Sequence, residues 1–219
     1  MNWGECKLIT LQTMFANEGT ALNADDSNQD YLDAMPGKAN EAMLQLATVG
    51  RPIRKRFRIA LEDGAEETAT AEQLTLPVTE GAYHIDMAHY CARFRCIEPN
   101  MVMLESGGIY GAAEDWDLEG DTILCIPGTA AGVYTVWYCA YPQTITASTP
   151  DGEELDLAPE AAALVPLYMA GALYKEDELA MATMFRNEFE DGLQKLRQAY
   201  MDSARGGGFG MVRNESGWW

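Results

Sequence analysis

The sequence predicts an α+β chain: a helical bundle formed by the N- and C-terminal segments, with an antiparallel β-sandwich inserted between them. Three observations carry this. Apolar residues recur at helical spacing up to residue 50 and again from about residue 159. From residue 51 the period changes to strand alternation, and turn residues punctuate a series of short apolar runs. Neither terminal stretch has enough helix to bury its stripe alone. Residues 1–50 and 150–205 are therefore expected to pack as one domain, 51–149 to form the inserted one, and 206–219 to extend as a tail.

Taken in order, Asn2 and Glu5 have capping-box spacing at the start of a first helix, whose stripe is Trp3, Cys6, Ile9, Leu11 and Met14. Residues 17–29 are polar and read as a loop. A second helical region covers 30–49. Pro36 is expected to start a fresh helix there, because proline suits the first helical position. Ala39, Met43, Leu46 and Ala47 share a face, and Gly50 is expected to close the helix in the left-handed region. In the next segment Ile53, Phe57, Ile59 and Leu61 alternate with Arg54, Arg56, Arg58 and Ala60, while Lys55 interrupts the apolar side. This predicts a strand with one buried and one basic face.

Residues 62–73 read as an acidic, threonine-rich loop. Short strands are expected at 74–78, 82–88, 92–97, 101–105, 121–126 and 133–141. Turns are expected at Gly81, Pro99-Asn100, Gly107-Gly108, Gly120-Asp121, Pro127-Gly128 and Gly132. The 133–141 run is bulky on both faces, which predicts a central strand covered on each side, by the sandwich on one and the helical part on the other. Helix resumes at Pro159 with the stripe Leu164, Leu167, Tyr168 and Gly171, kinked at Pro166. A last helix spans 176–203. Leu179, Ala182, Phe185, Phe189, Leu193, Leu196 and Tyr200 lie on its apolar face, and Arg197 and Arg205 near its end.

The composition narrows the function. With 219 residues, 47% of them hydrophobic, the chain can build a real core. A net charge of −19 argues against binding nucleic-acid phosphates, which takes clustered Lys and Arg. No apolar run approaches the roughly 18–20 residues of a membrane helix. The first residues lack the basic start and apolar centre of a signal peptide. The five cysteines, Cys6, Cys91, Cys96, Cys125 and Cys139, contain no CxxC and are expected to be reduced, mostly buried thiols in a cytoplasmic compartment.

No constellation points to catalysis or to a cofactor. His84 and His89 differ in strand parity, so with Asp86 they are not expected to hold a metal. Asp115, Asp117 and Glu119 around Trp116 could make a carboxylate pair or a calcium loop; a solvated acidic loop fits their spacing better. GxSxG, HExxH and a phosphate loop are absent from the sequence, and the GGGFG run lacks the flanks that the last requires. Tyr83, Tyr110, Trp116, Tyr134, Trp137, Tyr138 and Tyr141 could form a sugar-stacking platform, but strand core is the plainer reading. The segment RPIRKRFR leaves three readings open: a DNA-contact strand, a solvated edge strand, or a face that pairs with an acidic neighbouring copy and weakens with salt. In the tail, Phe209, Met211, Val212, Trp218 and Trp219 are costly to leave in water and suit docking onto a partner or a neighbouring subunit as well as they suit a frayed end.

The blocks YLDAMPGKANEAMLQLA at 31–47, VYTVWYCAYPQTIT at 133–146, LDLAPEAAALVPLYMAGALYKEDELA at 155–180 and RNEFEDGLQKL at 186–196, in that order, resemble tailed-bacteriophage head–tail connector proteins, the adaptor or neck group. That resemblance implies a non-enzymatic structural virion protein without cofactors. Copies would form an oligomeric ring, commonly twelve-fold, beneath the portal protein at the head–tail junction. The subunit would assemble in the host cytoplasm, touch the portal and tail or other neck proteins, and let DNA pass without specific binding. On this reading Arg54, Arg56, Arg58 and the tail apolar residues are subunit-interface candidates. Glu176, Asp177, Glu178, Glu188, Glu190 and Asp191, on the polar side of the last helix, are channel-lining candidates. The competing reading is a carbohydrate- or receptor-binding virion protein that uses the β domain.

Overall fold

The computed structural model describes residues 1–15, 28–61, 72–73, 78–175 and 178–206. The predicted loops at 17–29 and 62–73 and the strand at 74–78 therefore fall wholly or largely outside the described residues. Helices and antiparallel sheets are both present. The chain divides into two compact units, Met1–Arg51 with the chain from Thr144 on, and Pro52–Gln143.

In the first unit, helix α1 (Trp3–Phe15) opens with a reciprocal cap. The Glu5 N–H donates to Asn2 Oδ1 at 2.8 Å, and the Asn2 N–H donates to Glu5 Oε2 at 3.0 Å. Two further N–H groups of the first turn, those of Trp3 and Gly4, donate to the carbonyls of Glu153 and Asp151, both at 2.8 Å. Gly4 permits this approach, since a Cβ there would lie 2.9 Å from the Asp151 Cβ. The buried stripe departs from expectation at one place: Thr10 is buried and Ile9 exposed. Thr10 tolerates the core because its hydroxyl donates to the Cys6 carbonyl at 2.8 Å.

Helix α2 (Gln29–Gln45) runs through Pro36 instead of starting there. An interior proline costs about 3 kcal/mol. Full burial of Met35 and Met43, with Ala39 and Ala42 between them, recovers about 1.5–3 kcal/mol for each methionine, so tertiary packing outweighs the break. A π-helical turn, Leu46–Gly50, follows. Gly50 is not in the left-handed region. Its small size has another cause: a Cβ there would sit 2.9 Å from Leu196 Cδ2 and 3.0 Å from Leu193 Cδ1.

The C-terminal helices are α4 (Pro159–Ala162), α5 (Val165–Leu173) and α6 (Leu179–Gly206); α3 is the short Met87–Tyr90 helix of the second unit. Pro166 does not kink one helix. It sits in the first turn of α5, after a break at 163–164, where its missing N–H is harmless. The buried face is Ala161, Ala162, Val165, Met169 and Ala170, one position away from the predicted stripe. Helix α5 packs against α1, α2 and α6. Their shared core is centred on Trp3, Met35, Met43, Leu46, Met169 and Phe189. Leu179, expected on the apolar face of α6, is exposed, while Ala182, Phe185, Phe189 and Leu193 are buried.

Asn40 holds the returning chain. Its Nδ2 donates to the Ile145 carbonyl and its Oδ1 accepts the Ile145 N–H, both at 2.8 Å. Each bond is worth about 1 kcal/mol net. Asn40→Ala is therefore expected to destabilise this unit by about 2 kcal/mol and to raise hydrogen exchange at the Ile145 amide. Unchanged exchange at that amide would refute the role.

The second unit holds two sheets. Strands β1 (Ile53–Leu61), β2 (Glu72–Gln73), β5 (Phe94–Ser106), β6 (Ile109–Ala112) and β9 (Gly132–Ala140) form one, in the order β2-β1-β9-β5-β6. Strands β3 (Val78–Thr79), β4 (Ala82–Asp86), β7 (Asp117–Glu119) and β8 (Ile123–Pro127) form the other, in the order β3-β4-β8-β7. All pairings are antiparallel except the two-residue contact of β1 with β2. Helix α3 (Met87–Tyr90) follows β4, capped by the Asp86 carboxylate, which accepts the Ala88 N–H at 3.0 Å.

As expected, β9 is the central strand of its sheet; only Trp137 along it is less than fully buried. One apolar core draws on both sheets: Ile59, Leu61, Tyr134, Val136 and Tyr138 from the first, Tyr83, Ile85, Leu124 and Ile126 from the second. The strands expected at 92–97 and 101–105 are a single strand. Pro99-Asn100 marks a register shift between Ile97 and Val102, not a turn, and an irregularity is where a strand tolerates a missing N–H. Gly107 and Gly108, both at positive φ, turn the chain into β6.

Candidate functional site

The basic face of β1 acquires its partners from the sheet register. Arg54, Arg56 and Arg58 lie opposite Cys139, Trp137 and Thr135 of β9. On the far side of β9, Cys96 lies opposite Cys139, Met103 opposite Thr135 and Glu105 opposite Val133. These side chains share the face of the sheet turned away from the common core, because Tyr134, Val136 and Tyr138 occupy the other. Two ion pairs cross the central strand on this face: Arg54 Nε to Glu98 Oε1 at 2.6 Å, and Arg58 Nη2 to Glu105 Oε2 at 3.2 Å.

The Arg54 pair is the more consequential, since Glu98 is only 5% exposed. Its Oε1 also faces the Cys139 thiol at 3.7 Å, and its Oε2 is buried without a hydrogen-bond partner. Burial, with Cys96 and Glu98 beside it, pushes the Cys139 thiol up to about 12, so it stays protonated at neutral pH. The strand thus spends two of its arginines inside its own chain. Arg56, beside half-buried Trp137, is exposed.

The acidic candidates disperse along α6. Glu188 and Asp191 are exposed, and Glu190 pairs with Arg186 at 3.6 Å. Glu178 is exposed just before the helix. Glu176 and Asp177 lie outside the described residues, as do the tail candidates Phe209, Met211, Val212, Trp218 and Trp219.

A groove of about 260 Å³, which the sequence reading missed, opens among α2, α5 and α6, lined by Lys38, Glu41, Tyr168, Lys175, Leu179 and Arg186 among others. Lys38 pairs with Glu41 at 3.0 Å, and the Tyr168 hydroxyl donates to Glu41 Oε2 at 3.1 Å. The Lys38 ammonium holds the Glu41 carboxyl below the usual carboxylate range. Burial, then Glu41, pushes the Tyr168 phenol up. Lys175 and Arg186 also line the groove, and Arg186 is paired with Glu190. No spacing in the sequence announces the groove, because its residues come from three helices.

The remaining sequence candidates separate. His89 stacks edge-on against Tyr90 on α3, while His84 lies on β4. Trp116 packs half-buried against the core of its unit, and Asp115, Asp117 and Glu119 around it are exposed. Of the aromatic set, Tyr83, Tyr134 and Tyr138 are core, Trp137 is half-buried, and Tyr110 and Tyr141 are exposed. None of the five cysteines is in a disulfide. No helix among the described residues is long and apolar enough to cross a membrane. No protein-family model matches the chain, and no curated protein matches its sequence.

Proposed function

We propose that this chain is a non-enzymatic structural virion subunit, a head–tail connector that forms a ring beneath the portal through which DNA passes. The sequence resemblance motivates the reading. The shared core of the two sheets supports a β-sandwich, and the packing of α5 against three other helices supports a bundle. Both units are acidic. The inserted unit has six basic against fourteen acidic residues, and the other has nine against twenty, so neither attracts passing phosphates.

The observation that carries the reading is the β5–β6 hairpin tip. Ile109 is 76% exposed and Tyr110 54% exposed, at successive positions and so on opposite faces of an edge strand. Single exposed apolar residues are ordinary. Two large ones at the tip of a sheet edge suit a subunit contact, because an edge offers unpaired backbone groups to a neighbour.

Reversing the tip (Ile109→Asp with Tyr110→Asp) or deleting residues 206–219 is expected to weaken self-association by about tenfold or more, read by native mass spectrometry and particle imaging with and without the portal. Arg56→Glu should shift the salt dependence of assembly. A monomer at all concentrations, with sugar affinity lost on Tyr110→Ala, would replace the connector with the carbohydrate-binding alternative.

A further inference from the structure

We propose that His84, Cys125 and Glu119 form a binding site for a zinc-class divalent metal on the outer face of the four-stranded sheet. The inference is independent of the connector reading. The three residues come from adjacent strands: His84 from β4, Cys125 from β8 and Glu119 from β7. His84 and Cys125 are directly opposed in the register, and Glu119 lies opposite Ile123, one step diagonal to Cys125. Their neighbours Tyr83, Ile85, Leu124 and Ile126 point into the core, so the three ligands share the outward face.

The distances suit a tetrahedral metal. Cys125 Sγ and Glu119 Oε2 each lie 3.5 Å from His84 Nδ1, and the three donor atoms are all within 4.8 Å of one another. Bonds of about 2.3 Å to sulfur and about 2.0–2.1 Å to nitrogen and oxygen, at tetrahedral angles, put neighbouring donors about 3.3–3.6 Å apart. The sulfur–nitrogen and nitrogen–oxygen edges are therefore formed. The remaining edge closes by rotation of Glu119, whose side chain is largely exposed.

The imidazole is also oriented for the task. His84 Nε2 lies 3.2 Å from the Thr79 carbonyl. A carbonyl only accepts, so a neutral imidazole that donates from Nε2 to Thr79 presents its Nδ1 lone pair toward Cys125 and Glu119. A metal-binding histidine characteristically has its other ring nitrogen tied this way.

The donor set selects the metal class. A thiolate and an imidazole favour zinc or cobalt over magnesium and calcium, which take oxygen ligands. Three protein donors leave a fourth position for water. Strand parity separates His84 from His89, but the partners of His84 lie across the sheet, about forty residues away in sequence in the case of Cys125.

Cobalt(II) titrated into the full chain, stripped beforehand with EDTA, tests the proposal. A near-ultraviolet thiolate-to-cobalt band should saturate at one equivalent and be displaced by zinc. Cys125→Ala should abolish the band, while Cys96→Ala should leave it intact. Glu119→Gln, at an exposed position that does not threaten folding, should weaken cobalt binding by at least the roughly tenfold that loss of a supporting group costs. No band at one equivalent would overturn the site, as would a band that survives Cys125→Ala. In that case the contact is a thiol donating a hydrogen bond to Nδ1.

Discussion

Gly132→Ala is expected to destabilise the inserted unit by about 3–5 kcal/mol. Gly132 opens the central strand at φ +122, a conformation that residues with a Cβ rarely adopt. An added Cβ would also stand 2.6 Å from the Glu105 carbonyl oxygen, which is backbone and cannot rotate aside. The strain alone costs about 1–3 kcal/mol; displacing β5 from β9 supplies the rest, because the two strands are paired at that point. Gly107 provides the control. It is also at positive φ, but nothing lies within 4 Å of its would-be Cβ, so Gly107→Ala should cost only about 1 kcal/mol. Hydrogen exchange at the β5 and β9 amides reads both variants. A global melting curve is less direct, because a chain of two compact units need not unfold in one step. Equal protection in the two variants would remove the close-approach argument.

Much of the local structure was legible in the residues, and the departures share a cause. The Asn2–Glu5 cap, the buried face of α6 from Ala182 to Leu193, and the central position of β9 each depend on neighbours in sequence or on a strong pattern. The two prolines depart from expectation in opposite directions. Pro36 lies inside a helix that burial of Met35 and Met43 holds together, and Pro166 starts a helix instead of bending one. Propensity gives the cost of a proline but not the packing that offsets it. Strands β6 and β7 have four and three residues, too few for alternation to register. The chemistry-bearing groups were the least legible. Glu98 meets Arg54 across β9, and Cys125 meets His84 across a sheet, through registers that no linear spacing encodes.

Arg54 is the residue for which this matters most. Read along the strand, Arg54, Arg56 and Arg58 are one basic stripe offered to a neighbouring molecule. In the folded sheet Arg54 neutralises a carboxylate that has almost no access to water, and Arg58 is tied to Glu105. Removing one partner of a buried pair leaves the other charge uncompensated, which costs about 3–5 kcal/mol. Arg54 is itself 44% exposed, so water screens part of the interaction and the lower end applies. Arg54→Ala is therefore expected to destabilise the inserted unit by about 3 kcal/mol. The double variant Arg54→Met with Glu98→Met, which removes both charges and keeps the volume, should restore most of that loss. Urea denaturation followed by hydrogen exchange of the β9 amides checks both. If the double variant were as unstable as Arg54→Ala, the pair would not be the source of the loss. The cycle also decides how assembly must be tested. Reversing all three arginines to glutamate would set a second carboxylate against Glu98 and unfold the sheet, so loss of a ring would say nothing about an interface. Arg56→Glu changes an exposed side chain whose effect on folding should stay within about 0.5 kcal/mol, so any change in oligomeric state belongs to the contact between subunits.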